Sequence, residues 1–437
     1  EFSMLDGAIR LKGLAKRVTA VWGQIRSERN PEREKVMGRM RKVIEAKPGN
    51  PWNGKAVFEK TCAKCHTIFG KGATVGPDIT VNGRETLDAL LTSLLDPNLV
   101  IGAGYQAWTL LTKSGRALTG LLVEDSPQRV VLKVEEGKEE VIPRDDAGTL
   151  ERSEVSMMPE DLEKTLKEDE FRDLIAYLRY EEAPPEPVET VKEGNRPAAE
   201  RPLIVAQTYG AVTVSGRFPF NLSQTGEPAP GELFRYEHSS DQRPFIHPLR
   251  EAREGVVLTA LRPDDHPWQY GIFTGHARVN GVDFWHEKGW IRSRGLESVR
   301  DLDDRVEIVS KSDWLTQRRG GKRLLEETQR IVVHAIESKM GDYRIDFEWR
   351  LTPDEDVTFG QHEYGGLAFR PASHADRRHE HADGKDGYAW QDMSGRFKHG
   401  NHERTLGVAI LDHPRNPGFP NAWRVDGEGL INPAITA

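Results

Sequence analysis

Apolar positions recur at roughly helical spacing near the start of the chain. Leu5, Ile9, Leu11, Leu14, Val18, Val21 and Trp22 stand among lysines and arginines and predict helix over residues 5–46, within a helical lead-in of residues 1–50. Pro48-Gly49-Asn50-Pro51 ends that pattern. Residues 51–180 read as a second unit, helical at both ends with short strands between. Residues 84–95 form an amphipathic helix stopped by Asp96-Pro97, and residues 168–180 align Phe171, Leu174, Ile175 and Leu178 on one helical face. Between them, residues 107–112, 117–123, 129–134 and 139–142 read as strands, with Ser114-Gly115 marking a hairpin. Residues 181–202 hold Ala183-Pro184-Pro185-Glu186-Pro187 and few large apolar side chains, the composition of a stiffened linker. From Leu203 onward the period shifts to two. Residues 211–215, 255–261, 277–279, 282–285, 306–310, 327–335 and 343–351 are short and rich in β-branched or aromatic side chains. Asn280-Gly281 is a two-residue hairpin signal between two of them. Many short strands with Gly, Pro and Asp turns predict an all-β sandwich over residues 203–437.

Composition narrows the function. With 437 residues the chain has room for about two to three domains. Its 61 Lys plus Arg against 69 Asp plus Glu leave a net charge of −8, which disfavours a nucleic-acid binder. No apolar run approaches the ~18 residues of a membrane span, so no transmembrane segment is expected. The opening Glu1-Phe2-Ser3-Met4 lacks the apolar core of a signal peptide, and a removed signal or a fragment is expected.

The two cysteines supply the sharpest chemical signal. Cys62-Ala63-Lys64-Cys65-His66 has the spacing of a c-type haem attachment site. On a helix, positions i, i+3 and i+4 share a face, so two thiols can meet two vinyl groups while the imidazole reaches iron. A zinc site would need about four ligands, and only three cluster here. A thioredoxin-type dithiol should follow a strand, whereas residues 54–60 read as helix. His66 leaves one axial position, and the next histidine is His238. Methionine is the usual alternative and raises the reduction potential. Met157-Met158-Pro159 precedes the closing helix, and Met158 is the expected distal ligand, with Met157 next. The alternative is that both are core methionines, with the sixth position open or held by lysine.

These features lie within a longer likeness. Gly54-Lys55-Ala56-Val57-Phe58, Cys62 to His66, Gly76-Pro77-Asp78, Asp96-Pro97, Gly120, Pro143, Met157-Met158-Pro159-Glu160 and Asp173-Leu174-Ile175-Ala176-Tyr177-Leu178 together resemble one family. It is the haem-binding cytochrome domain common in planctomycetes and verrucomicrobia, and the resemblance covers roughly residues 5–180. It implies a mainly α, class I cytochrome c core with an inserted small antiparallel β patch. It further implies one covalent haem c, export to the periplasm and one-electron exchange with a separate redox partner. By that likeness Gly76 and Pro77 sit against the haem, Pro77 backing the His ligand.

Thirteen of the 14 histidines and seven of the 10 tryptophans fall after residue 230, which hints at a site, although His-rich loops are more often solvated surface. The densest cluster is Asp264-Asp265-His266-Pro267-Trp268-Gln269-Tyr270-Gly271. An acid beside a histidine can serve general acid–base work, and Trp268 could stack on a sugar ring; a capped turn with a core tryptophan is the plainer reading. Gln361-His362-Glu363-Tyr364-Gly365-Gly366-Leu367 and Asp412-His413-Pro414 are further candidates, and His374, His379 and His381 could hold a metal. Gly102-Ala103-Gly104 and Gly320-Gly321-Lys322 lack the strand-to-helix context of phosphate loops.

His266 to Gly271, Val279-Asn280-Gly281-Val282-Asp283-Phe284-Trp285, Glu363 to Leu367 and Asp412-His413-Pro414 resemble a β-rich family labelled "methane oxygenase PmoA", over about residues 203–437. A membrane-embedded oxygenase subunit needs long apolar helices, which this segment lacks. The family's company in polysaccharide-utilising bacteria implies a carbohydrate-related role. Relatives continue into further strands past Gly429-Leu430-Ile431-Asn432-Pro433-Ala434, which implies a C-terminally truncated domain. The expectation is a c-type cytochrome joined to a β domain. That domain is either a binding module for a glycan or surface protein, or a sugar-active enzyme with His266 and Glu363 as acid–base groups.

Overall fold

The computed structural model describes residues 24–437 apart from positions 27, 82, 85, 181, 223–227, 240–242, 319, 336–341, 373–376, 381–388, 400–401, 426–430 and 435–437. It divides into two units, Glu1–Pro184 and Pro185–Ala437. Among the described residues, five helices lie in the first: α1 (Pro31–Glu45), α2 (Pro51–Thr61), α3 (Leu87–Leu95), α4 (Leu162–Thr165) and α5 (Glu168–Leu178). Among the described residues of the lead-in, helix begins at Pro31. There the Asn30 side chain accepts the Glu32 amide and proline occupies the first helical position, a combination that starts a helix. Gln24–Ile25 instead pairs with Val100–Ile101, and the rest of the predicted lead-in helix, residues 5–23, lies outside the described residues.

The α2–α5 crossing is close because α2 carries a glycine there. A Cβ on Gly54 would stand 1.9 Å from the Asp173 carbonyl oxygen. Asp173 in turn accepts the Asn50 amide at 2.7 Å, tying the start of α2 to α5. Around this crossing Met40, Phe58, Leu91, Leu95, Phe171, Leu174 and Tyr177 form the buried core. The inserted β patch is a five-stranded antiparallel sheet of β1 (Ala107–Thr112), β2 (Ala117–Asp125), β3 (Arg129–Lys133), β4 (Glu139–Pro143) and β5 (Ala147–Arg152), in the order β4-β3-β2-β1-β5. β5 is one strand more than the sequence pattern predicts, because its alternation faces solvent on most positions. Leu110, Val130, Leu132 and Ile142 give the sheet its own small core.

In the second unit, part of the proline-rich stretch read as a linker joins a sheet. β6 (Thr190–Lys192) runs parallel to β12 (Trp290–Asp301), and Glu193 pairs with Arg300 at 2.6 Å. β12 continues through β13 (Arg305–Leu315), β14 (Arg323–His334) and β15 (Arg344–Pro353) as an antiparallel ladder. An eight-stranded sheet holds β7 (Leu203–Thr208), β8 (Ala211–Leu222), β9 (Pro228–Glu237), β10 (Phe245–Leu249), β11 (Ile272–His276), β16 (Gly365–Phe369), β20 (Ala422–Val425) and β21 (Ile431–Ala434). β17 (Arg377–Glu380), β18 (Trp390–His399) and β19 (His402–Leu411) form a third sheet. The largest core cluster takes Val212, Phe234 and Ile246 from the eight-stranded sheet and Val299, Ile308, Ile331 and Val333 from the five-stranded one.

A buried polar network joins the same two sheets. Tyr236 bonds Ser310 and donates to Gln329 at 2.8 Å, and Thr274 donates to Glu327 at 2.6 Å. Residues 255–261, 277–279 and 282–285, expected as strands, make isolated bridges only. The Asn280-Gly281 turn does form, with φ of 47° and 80°, and closes Val279 on Val282. Its arms end at once because they turn toward other partners, Val279 bridging Phe359.

Candidate functional site

The attachment motif begins where α2 ends. Cys62 caps the helix, its amide bonding Phe58, and the amides of Cys65 and His66 both return to the Cys62 carbonyl. This tight turn holds both sulfurs and the imidazole within five residues. Both cysteines are unpaired thiols. Burial, then Cys65, pushes the Cys62 thiol up to about 12, and burial also raises Cys65.

His66 is aimed by its surroundings. Its Nδ1 lies 3.0 Å from the Pro77 carbonyl oxygen, a partner that can only accept, so Nδ1 carries the proton and Nε2 keeps its lone pair for a metal. Behind the ring stands Gly76, where a Cβ would come within 2.5 Å of Cε1. The Gly76 amide is fixed to the Cys65 carbonyl at 2.7 Å, so backbone and ring are locked together. This explains why a glycine precedes Pro77: a larger residue would displace the ring from its partner.

Met158 is half-buried and packs against the same apolar cluster as Cys62, Ala63, Phe69 and Ile79. Its loop is anchored from three directions. The Met158 amide donates to Ser156 Oγ at 3.1 Å, the Ser156 amide to Asn98 at 2.8 Å, and Arg33 of α1 donates to the Glu160 carbonyl. The inserted sheet also reaches the motif. In its β3–β4 turn the Glu136 amide donates to the Lys64 carbonyl at 2.7 Å, and Glu135 pairs with Lys64 at 3.1 Å.

Two free thiols, an imidazole with its outer nitrogen tied off, and a thioether beside the same apolar cluster fit a covalently attached haem. Residues 52–181 match the cytochrome c family. They form a cytochrome c domain, which supports haem binding, electron transfer and a redox partner. Among the described residues no helix is long and apolar enough to cross a membrane, and no three His, Cys, Asp or Glu gather as a metal cluster.

In the second unit, two of the three sequence candidates converge. Trp268 packs edge-on to His266 at 5.4 Å and to His286 at 5.0 Å, and His286 meets the Tyr364 ring at 5.6 Å. His266 and Glu363 thus flank one aromatic cluster, linked through Trp268, His286 and Tyr364. His266 Nδ1 lies 3.1 Å from Asp265. Glu363 pairs with Arg424, whose guanidinium lies 4.4 Å above Tyr364 and donates to its hydroxyl at 3.0 Å. The Asp412 carboxylate is used within its own turn, accepting Asn416 at 2.7 Å and the Asn421 amide at 2.9 Å. His374 and His381 lie outside the described residues, and His379 sits on β17 opposite Met393.

Sequence reading missed the residues just past Trp285. His286 Nδ1 is 2.9 Å from Asp283, which also accepts the His286 amide at 3.0 Å. Those bonds, with Lys288, hold the Asp283 carboxyl below its usual range against the opposing effect of burial. Glu287, at φ 59°, accepts the Tyr270 hydroxyl at 2.6 Å. Burial, then Glu287, pushes the Tyr270 phenol up. Beneath them Arg243 is fully buried and donates to the carbonyls of Phe284 at 2.7 Å and Trp285 at 3.1 Å. The signal was present: His286 directly follows the quoted Val279 to Trp285 motif, but no spacing rule connects it to Trp268 or Tyr364. Residues 230–437 match a family of unknown function, DUF6807.

Proposed function

We propose that the chain is an exported, periplasmic carrier of one haem c that passes electrons to and from a separate redox protein. In this reading Cys62 and Cys65 hold the haem through thioethers, His66 Nε2 is the proximal ligand and Met158 sulfur the distal one. The bond from His66 Nδ1 to the Pro77 carbonyl carries the reading, since it fixes the tautomer that a metal-binding imidazole needs. Bound there, the haem supplies one-electron chemistry at iron. The protein contributes ligand orientation and apolar cover, and both tune the potential. The helices around the motif support a class I arrangement, and the core shared by two sheets supports a sandwich for the second unit.

For that second unit the proposed role is carbohydrate-related, as the resemblance to the PmoA-labelled family suggests. A binding module is favoured over an enzyme because the Glu363 carboxylate is engaged by Arg424. Maturing the chain with haem-attachment machinery and recording its reduced visible spectrum tests the cytochrome reading. A sharp α band of low-spin haem c is expected, lost in the Cys62→Ala, Cys65→Ala double variant and altered in Met158→Ala. A matured chain with only the bare polypeptide mass would overturn it.

A further inference from the structure

The loop that carries His286 is held by an unusually costly device. Arg243 is a fully buried guanidinium, and taking such a charge out of water costs several kcal/mol unless it is fully partnered. Its bonds go to the carbonyls of Thr274 at 3.2 Å, Phe284 at 2.7 Å and Trp285 at 3.1 Å, with Glu287 at 3.7 Å as counter-charge. Asp283 closes the same loop from above, its carbonyl accepting the amides of Lys288 at 3.0 Å and Gly289 at 2.9 Å. All of these contacts fix residues 283–289, and His286, 28% exposed, reaches the surface there beside Glu287 and the more exposed Lys288.

Around His286 the surface alternates between rings and planar polar groups. Trp268 and Tyr364 are partly exposed, and Glu363, Arg424 and Asp265 stand at the rim with His266. Below, the Trp285 ring stacks on Tyr364 at 5.3 Å, while its buried indole N–H has no hydrogen-bond partner among the described residues. Rings flanked by carboxylates, a guanidinium and imidazoles suit a ligand with apolar C–H faces and a fringe of hydroxyls. That is the chemistry of a saccharide. A lipid would want a continuous apolar face, and a nucleic acid a basic one.

We propose that Trp268, Tyr364 and the Asp283–His286 pair form a saccharide-binding face. In it a sugar ring lies against the aromatic cluster, and His286 Nε2 hydrogen-bonds a ring hydroxyl. Asp283 positions the imidazole, and Arg243 positions the loop. The assignment rests on the carbohydrate-related reading above and gives it a place.

The test is calorimetric titration of the haem-loaded full chain with oligosaccharides of β-linked glucose, β-linked mannose and α-linked galacturonate. Binding of at least one is expected, with quenching of tryptophan fluorescence. Trp268→Ala should weaken it about tenfold or more, and His286→Gln about fivefold. Asp283→Asn should weaken it to a similar extent, and His334→Gln on the five-stranded sheet should leave it unchanged. Each variant is compared only where its haem spectrum and unfolding midpoint match the parent; if His286→Gln fails that criterion, Asp283→Asn decides. A saccharide that binds equally to the parent, Trp268→Ala and the deciding variant would overturn this site while sparing the carbohydrate reading. Absence of binding across the panel would overturn both.

Discussion

Replacing Gly76 by alanine asks whether the imidazole of the attachment motif is truly aimed by its neighbours. The new Cβ would stand 2.5 Å from His66 Cε1 and 2.8 Å from Nδ1, whereas carbon atoms prefer about 3.5 Å or more. Ring or backbone must therefore yield by about 1 Å. The backbone is held by the 2.7 Å bond from the Gly76 amide to Cys65, so the ring moves. A shift of that size stretches the 3.0 Å contact with Pro77 toward ~4 Å, beyond hydrogen-bonding reach. Loss of such an outer partner typically costs 10–100-fold in metal affinity, or about 1.4–2.8 kcal/mol. Haem should still attach, because both thiols remain. Denaturant unfolding of the matured protein, followed through the haem absorbance, should show the loss, together with a changed reduced spectrum. Gly70→Ala is the control. Gly70, unlike Gly76, has a positive φ, 74°, but nothing lies within 4 Å of a Cβ there, so only backbone strain of about 1 kcal/mol applies. Identical spectra and unfolding midpoints for Gly76→Ala and the parent would refute the reasoning.

Burial pushes His238 from 6.5 down to about 4, so the unfolded chain binds the extra proton first as pH falls. Stability should be fully present above pH 6.5 and decline toward pH 4, by roughly 3 kcal/mol from this residue; parallel stability–pH curves for the parent and His238→Gln would contradict this. In haem-free protein at pH 8, iodoacetamide should modify Cys65 well before Cys62, whose thiol burial raises to about 12; mass mapping of the alkylated peptides reads the order. Arg243→Met removes the counter-charge of Glu287 and leaves three carbonyls without their guanidinium donor, so the second unit should lose about 3–5 kcal/mol in denaturant unfolding, and a loss under 1 kcal/mol would show that the guanidinium is not what holds the loop.

What the sequence by itself determined is what lies within a few residues. Cys62, Cys65 and His66 share one turn because helical geometry places i, i+3 and i+4 together, and Asn280-Gly281 forms its turn because both residues tolerate positive φ. The glycine at 54 was visible too, but its reason was not, since the Asp173 carbonyl it admits lies more than a hundred positions away. Tertiary structure alone decided the partners. It set β6 beside β12, which a proline-rich composition gave no reason to expect, and left residues 255–261 as bridges rather than a strand. It gathered Trp268, His286 and Tyr364 around one loop and put Arg243 beneath them. Periodicity reports which face of an element is buried, but burial is satisfied by many partners. Which ladder closes, and which rings meet, follows only from how whole sheets pack.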